Sequence, residues 1–186
     1  MVIAIMAIIA TLVTAGARRA AESQRISRVK AELANLESAI HSYQGDLGFF
    51  PPGGQNGAHR PPLYYELTGT RFDGNRFYSL VGDVAIPDAG MSSVFGVSGF
   101  ANSNPDGAKN YLPNIKTNQY ATISGVRILT VPLPGPNQTS LTDDSGKLVN
   151  TWRYVSERPT NNAATFDLWA EVIIGSKTNI VGNWKE

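Results

Sequence analysis

MVIAIMAIIATLVTAGARRAAESQRISRVKAELANLESAIHSYQGDL, residues 1–47, reads as one unbroken helix. Its first 17 residues carry no charge, and only Thr11 and Thr14 break the apolar run with a hydroxyl. Arg18 and Arg19 then open a polar stretch. Beyond it Ile26, Val29, Leu33, Leu36, Ile40, Tyr43 and Leu47 recur at spacings of three and four, which places them on one face of an α-helix. No glycine stands between Gly16 and Gly45, and no proline precedes Pro51. Nothing therefore stops the helix for about 45 residues, or roughly 65–70 Å at about 1.5 Å per residue. An apolar spike (1–17) continuous with an amphipathic stem (18–47) is an anchor joined to a packing surface.

Two other readings of the spike compete with this one. A secretory signal needs a positive segment ahead of its apolar run, and only Met1 precedes this one, although Thr14-Ala15-Gly16-Ala17 imitates a cleavage site. A plain membrane span wants about 20 apolar residues, and 17 reach only about 25 Å. Arg18 and Arg19 would stop at the bilayer surface and, taken alone, favour a cytoplasmic head. The residues expected to face lipid or neighbouring helices are Ile3, Ile5, Ile8, Ile9, Leu12, Val13 and Gly16, the glycine being a weak point or a site of close packing. Ile26, Val29, Leu33, Leu36, Ile40 and Tyr43 are expected to pack the stem on the rest of the chain.

The 186 residues suffice for one domain of about 140 residues beyond the spike. A net charge of +1 leaves no electrostatic footprint for nucleic acid, and the absence of cysteine excludes disulfides and thiol chemistry. Pro51-Pro52-Gly53-Gly54 ends the helix and opens a loop-rich region, 48–119. In it Arg60–Gly69, with two prolines leading an apolar run, suggests a short helix, while Phe77–Val81 and Val94–Val97 look strand-like. From 120 to 186 the pattern is β: Val126–Val131 stops at a proline cluster, Lys147–Val155 alternates, and Phe166–Ile174 turns at Gly175-Ser176 into Asn179–Trp184. The expected fold class is α+β, one long helix covering an antiparallel sheet of three or four strands. Trp152, Tyr154, Phe166, Trp169 and Trp184 are expected in the core of that head.

Catalytic chemistry finds no support. His41 and His59 lack converging partners, and no phosphate-binding or nucleophile motif occurs. Asp143-Asp144, alone or with Asp73 or Asp88, are weak candidates for calcium, against the plainer reading that aspartates before Ser-Gly form a turn. Asn137-Gln138-Thr139 fits a glycosylation sequon. Trp152, Trp169 and Trp184 suggest either core packing or a sugar platform. Glu37 and His41, one turn apart, make a charge pair only below about pH 6.5.

The run from Met1 to Pro52, spike and stem together, resembles the start of a type IV pilin-like protein, and is most similar to the major pseudopilin of type II secretion systems. Lys30, Leu33, Leu36, Glu37, Ala39, Ile40 and Tyr43, then Asp46, Gly48, Phe50 and Pro51, match that family's stem rhythm and the short motif behind it. Thr151–Val155, Phe166–Trp169 and Ile180–Trp184 look like its closing strands; residues 53–145 do not align. The resemblance implies a pilin roll and a helix that rests in the bacterial inner membrane with the head in the periplasm. It also implies assembly into a helical filament of like subunits with other pseudopilins on an inner-membrane platform. The family's leader, cleavage point and assembly glutamate precede the residues that match Met1, and so are expected upstream of this numbering. The family also binds calcium through acidic side chains in a C-terminal loop. Between Trp169 and Trp184 this chain offers only Glu171, so no cofactor is expected. A surface pilin for adhesion or motility, and a membrane-anchored carbohydrate-binding domain, stand as the alternatives.

Overall fold

In a computed structural model, the structure describes residues 2–104 and 107–184, with side chains from Arg19 onward. The chain is α+β. Helix α1 runs from Val2 to Leu47, 46 residues, and is followed by antiparallel sheets. Ile3, Ile5, Ile8, Ile9, Leu12, Val13 and Gly16 lie outside the residues whose side chains are described. Among the described residues no helix is long and apolar enough to cross a membrane. Along the stem Val29, Leu33, Leu36, Ala39, Ile40 and Tyr43 are buried, with Ile26 and Leu47 half-buried against the same core. The three-and-four spacing thus lies along the covered side of the helix.

Pro62 precedes the short helix α2 (Leu63–Thr68), every residue of which is buried. Around it the region 48–119 is more ordered than its composition suggests. It holds a small sheet of β1 (Thr70–Phe72), β2 (Phe77–Ser79) and β3 (Ala85–Ile86). Val94–Val97 is not a strand. Met91–Phe95 forms a π-helical turn that Gly96 ends in the left-handed region at φ 72°. The carbonyls of that turn are taken from outside: Phe95 O accepts from Gln55 N at 2.8 Å, and Asn56 Nδ2 donates to Ser93 O at 2.9 Å.

The remaining strands form two sheets. β4 (Tyr120–Ile123), β5 (Val126–Val131), β6 (Leu141–Thr142) and β7 (Leu148–Thr151) lie in the order β4-β5-β7-β6. β8 (Arg153–Val155), β9 (Asp167–Ile174) and β10 (Lys177–Gly182) lie in the order β10-β9-β8. The stem packs on β9 and β10, whereas α2 packs on β5. The stem's main packing is therefore on one of the two sheets.

Lys147–Val155, expected as a single half-buried strand, is divided at Trp152. Before it Thr151 pairs with Thr130 of β5; after it Arg153 pairs with Trp169 of β9. The chain changes sheets at this corner, a standard way for packed sheets to share a strand. The expected in-out alternation fails here because residues 151–154 are all buried. Strand β9 does alternate, with Leu168, Ala170, Val172 and Ile174 buried and Trp169, Glu171 and Ile173 half-exposed. Trp169 and Trp184 are therefore not core residues: they sit on the outer face, edge to face with ring centres 5.7 Å apart.

The two sheets are tied by Asn150, whose Nδ2 donates to Glu171 O at 2.7 Å and to Leu133 O at 3.1 Å. The proline cluster expected only to end β5 also serves β9, since Ile173 N donates to Pro134 O at 2.8 Å. Gly135 lets this segment pass over Asn150, and a Cβ there would meet the Asn150 side chain at 2.5 Å. Gly135→Ala is expected to cost about 1–3 kcal/mol through that clash. A urea melt showing no loss would mean the segment yields freely.

Candidate functional site

The geometry of the stem falls into two parts. From Val29 upward it is locked to the head. From Arg19 to Arg28 every residue is exposed except the half-buried Ile26.

The lock is polar at its centre. Glu66, in α2, is 1% exposed and forms no ion pair among the described residues. Its Oε2 accepts from the Tyr43 hydroxyl of the stem at 2.9 Å and from Asn102 N at 3.1 Å, and its Oε1 accepts from Ala101 N at 2.9 Å. Burial pushes the Glu66 carboxyl above its ordinary pKa, and the three donors only partly offset it. The Tyr43 hydroxyl is driven far up, first by burial and then by the charge of Glu66. Asn102 extends the network by donating to Glu66 O and to Lys109 O, both at 2.7 Å. At the stem's end Lys109 Nζ lies 2.9 Å from Asp46 Oδ2, an exposed pair worth little energetically.

A second lock lies lower on the stem. Trp152 Nε1 donates to Glu32 Oε1 at 3.3 Å, and burial raises the pKa of Glu32 against that bond and one from Gln119. A groove of about 280 Å³ opens beside Glu32, between the stem and the segment Tyr111–Ile115. Tyr154 reaches the point where the stem ends, its hydroxyl donating to Pro51 O at 2.9 Å. Phe166 packs against His41, Phe50 and Tyr154. His41 is exposed in outline but has its ring against two phenylalanines. Beside it, burial raises the pKa of Glu37 and His41 opposes that shift.

Of the aspartates considered for calcium, Asp143, Asp144 and Asp73 are occupied by N–H and O–H donors. Asp143 Oδ1 accepts from Ser145 N, Ser145 Oγ and Lys147 N, which holds its pKa below the ordinary value. Asp144 accepts from Ser124 N at 2.6 Å and Gly125 N at 3.0 Å, fastening the β4–β5 turn. Asp73 caps its own turn through Asn75 N and Arg76 N. Among the described residues no three acidic or histidine side chains converge on one point. Calcium wants six to eight oxygens, several of them carboxylate. The residues present do not fit it.

Glu171, the one acid between the last two tryptophans, faces buried Arg153, with Nη2 and Oε2 3.6 Å apart. Arg153 also donates to Thr139 Oγ1 at 2.5 Å, and burial pulls its pKa below the ordinary value despite Glu171. Asp167, which the sequence did not mark, is 3% exposed and closes the loop before β9. Its carboxylate accepts from Thr160 N, Asn161 N, Asn161 Nδ2 and Asn162 N, all within 3.1 Å. Asp167→Ala is expected to cost about 2–4 kcal/mol and to open residues 158–165 to protease while the rest of the head stays resistant. Unchanged proteolysis would show that the loop holds itself.

The three tryptophans do not form one sugar platform: Trp152 is fully buried, and only Trp169 and Trp184 meet at the surface. Glu66, Asn102, Asn150, Arg153 and Asp167 are the structural polar residues that pattern reading missed. A lone charge inside an apolar stretch could have marked Glu66, in Leu-Tyr-Tyr-Glu-Leu-Thr, whereas Asn102, in Ala-Asn-Ser-Asn-Pro, gives no such signal. Compared with models of known protein families, with curated proteins and with solved structures, the chain matches none of them.

Proposed function

We propose that this chain is a structural subunit of a type IV pilin-like filament, of the kind formed by the major pseudopilin of type II secretion systems. The observation that supports the reading is helix α1, continuous from Val2 to Leu47, which the head covers from Val29 upward and which is exposed from Arg19 to Arg28 apart from half-buried Ile26. At about 1.5 Å per residue the helix from Val2 to Arg28 is roughly 40 Å long. Its first 17 residues are uncharged. Such a run is satisfied in lipid or in a bundle of its own copies, because a helix keeps its backbone hydrogen bonds internal in both. A subunit can pass from bilayer to filament without presenting that surface to water. The head then acts as a pilin roll, with the stem laid over β9 and β10 and the second sheet outside.

On this reading the subunit waits in the bacterial inner membrane with its head in the periplasm. An inner-membrane platform, with other pseudopilins, adds it to a short filament that drives exported proteins outward. No reaction is assigned to it. The test is amine cross-linking of cells making the full chain, with electron microscopy of the sheared material. A ladder of dimers and higher oligomers together with thin filaments is expected, both lost when residues 1–17 are deleted. Monomer alone in wild-type cells, or a mature chain that begins near Arg18 on N-terminal sequencing, overturns the reading.

A further inference from the structure

The bare part of the stem is strongly cationic. Arg19, Arg25, Arg28 and Lys30 are all exposed, and none enters an ion pair among the described residues. The one acid among them is Glu22, also exposed. Residues 1–30 contain five cations and one acid, a net charge of +4, while residues 31–186 contain eleven cations and fourteen acids, a net charge of −3. The near-neutral total conceals a molecule with opposite charge at its two ends.

The placement of these cations around the helix decides what they suit. At 3.6 residues per turn Arg19 and Lys30 fall on one flank, Arg25 and Arg28 on the opposite flank, and Glu22 between them in line with Val29. With Arg18 close to the line of Val29, the five cations spread over about 200° of the circumference and leave the side of Ser23, Gln24 and Ser27 uncharged, a broad collar open on one side rather than a narrow stripe. A stripe matches one face of one partner, whereas an arc this wide suits a charged surface through which the helix passes. The collar starts where the uncharged run ends, with Arg18, and reaches Lys30 after roughly 18 Å. The headgroup layer on one side of a bilayer is about 5–8 Å deep. Arg18 and Arg19 would therefore lie in that layer, and Arg25 and Arg28 within about a Debye length of its surface at physiological salt. The anionic head, repelled by the same surface, would stand away from it.

We propose that this collar binds the headgroups of anionic phospholipids and holds the unassembled subunit on acidic bilayer. The proposal rests on the reading of residues 1–17 as a membrane helix, and the test separates the two. The full chain, carried in detergent, is diluted into a mixture of phosphatidylcholine vesicles and vesicles one-third phosphatidylglycerol, which are then separated by density. At about 0.1 M salt the chain is expected to favour the anionic vesicles at least tenfold, and at about 1 M salt to lose the preference. The R18A/R19A/R25A/R28A variant is expected to float as well as wild type but to divide almost evenly. Even division of the wild-type chain, or a preference that survives in the variant, overturns the proposal and leaves the membrane helix standing. Even division together with salt-labile oligomers would assign the collar to the acidic head of a neighbouring copy, which also overturns it. Failure to float on either vesicle removes the membrane helix and the collar together.

Discussion

Trp152→Ala is expected to lower the stability of the head by about 3–5 kcal/mol, enough to drop its melting temperature by roughly 10 °C. The ring is fully buried and stands where the chain leaves one sheet for the other. Two losses add. Removing the indole opens a cavity that the corner cannot close, because Trp152 N is held to Leu129 O and Tyr154 N to Ala58 O on either side. It also removes the donor that Glu32, on the stem, uses within the head. Trp152→Phe keeps most of the volume and is expected to cost about half as much. Thermal melts of both variants, followed by far-ultraviolet circular dichroism and checked for tertiary order by the near-ultraviolet spectrum, measure the difference. A loss under about 1 kcal/mol in the alanine variant would mean that the corner repacks and that the stem is not docked through it.

The stem was legible because its signal is local: a helical period needs no knowledge of the partner surface, and Ile26 to Leu47 follow it without interruption. The short helix after Pro61-Pro62 was legible for the same reason, proline being tolerated at a helix start. Val94–Val97 failed because valine and phenylalanine favour strands only weakly, and tertiary bonds from Gln55 and Asn56 decide the turn instead. The corner at Trp152 failed differently. Alternation assumes one wet face, and a strand shared by two sheets has none over Thr151–Tyr154. For Trp169 and Trp184 the size of the ring suggested the core, but the period-two register along β9 puts Trp169 on the same outer face as Glu171 and Ile173. Of the bare stem, the charges were legible and their lack of partners in the head was not. The partners of the polar locks were invisible because they come from far along the chain: Glu66 takes its donors from residues 43, 101 and 102.

Glu66 carries the second large expectation, and its sign depends on pH. Glu66→Ala leaves the Tyr43 hydroxyl and the Asn102 N–H buried without an acceptor, and Ala101 N–H partly so, which is expected to cost about 3–5 kcal/mol. Glu66→Gln is milder. With its oxygen toward Tyr43 and Asn102, the amide nitrogen confronts only Ala101 N–H, so one bond is lost, about 1 kcal/mol near pH 4.5. Folding raises the Glu66 pKa above its unfolded value, so the folded state binds the proton more tightly. The stability this contributes is fully present in acid and is lost as pH rises from the unfolded value of about 4.5 through the folded one. Protonated Glu66 can still be accommodated, because the Tyr43 hydroxyl can reverse and accept, which neither backbone N–H can do. The glutamine variant has no such proton. Its deficit against wild type is therefore expected to shrink as pH rises from 4.5 to 7, and urea melts of both proteins across that range measure it directly. A deficit that grows with pH would mean that the three donors outweigh burial, making Glu66 an anion whose charge stabilises the stem–head lock.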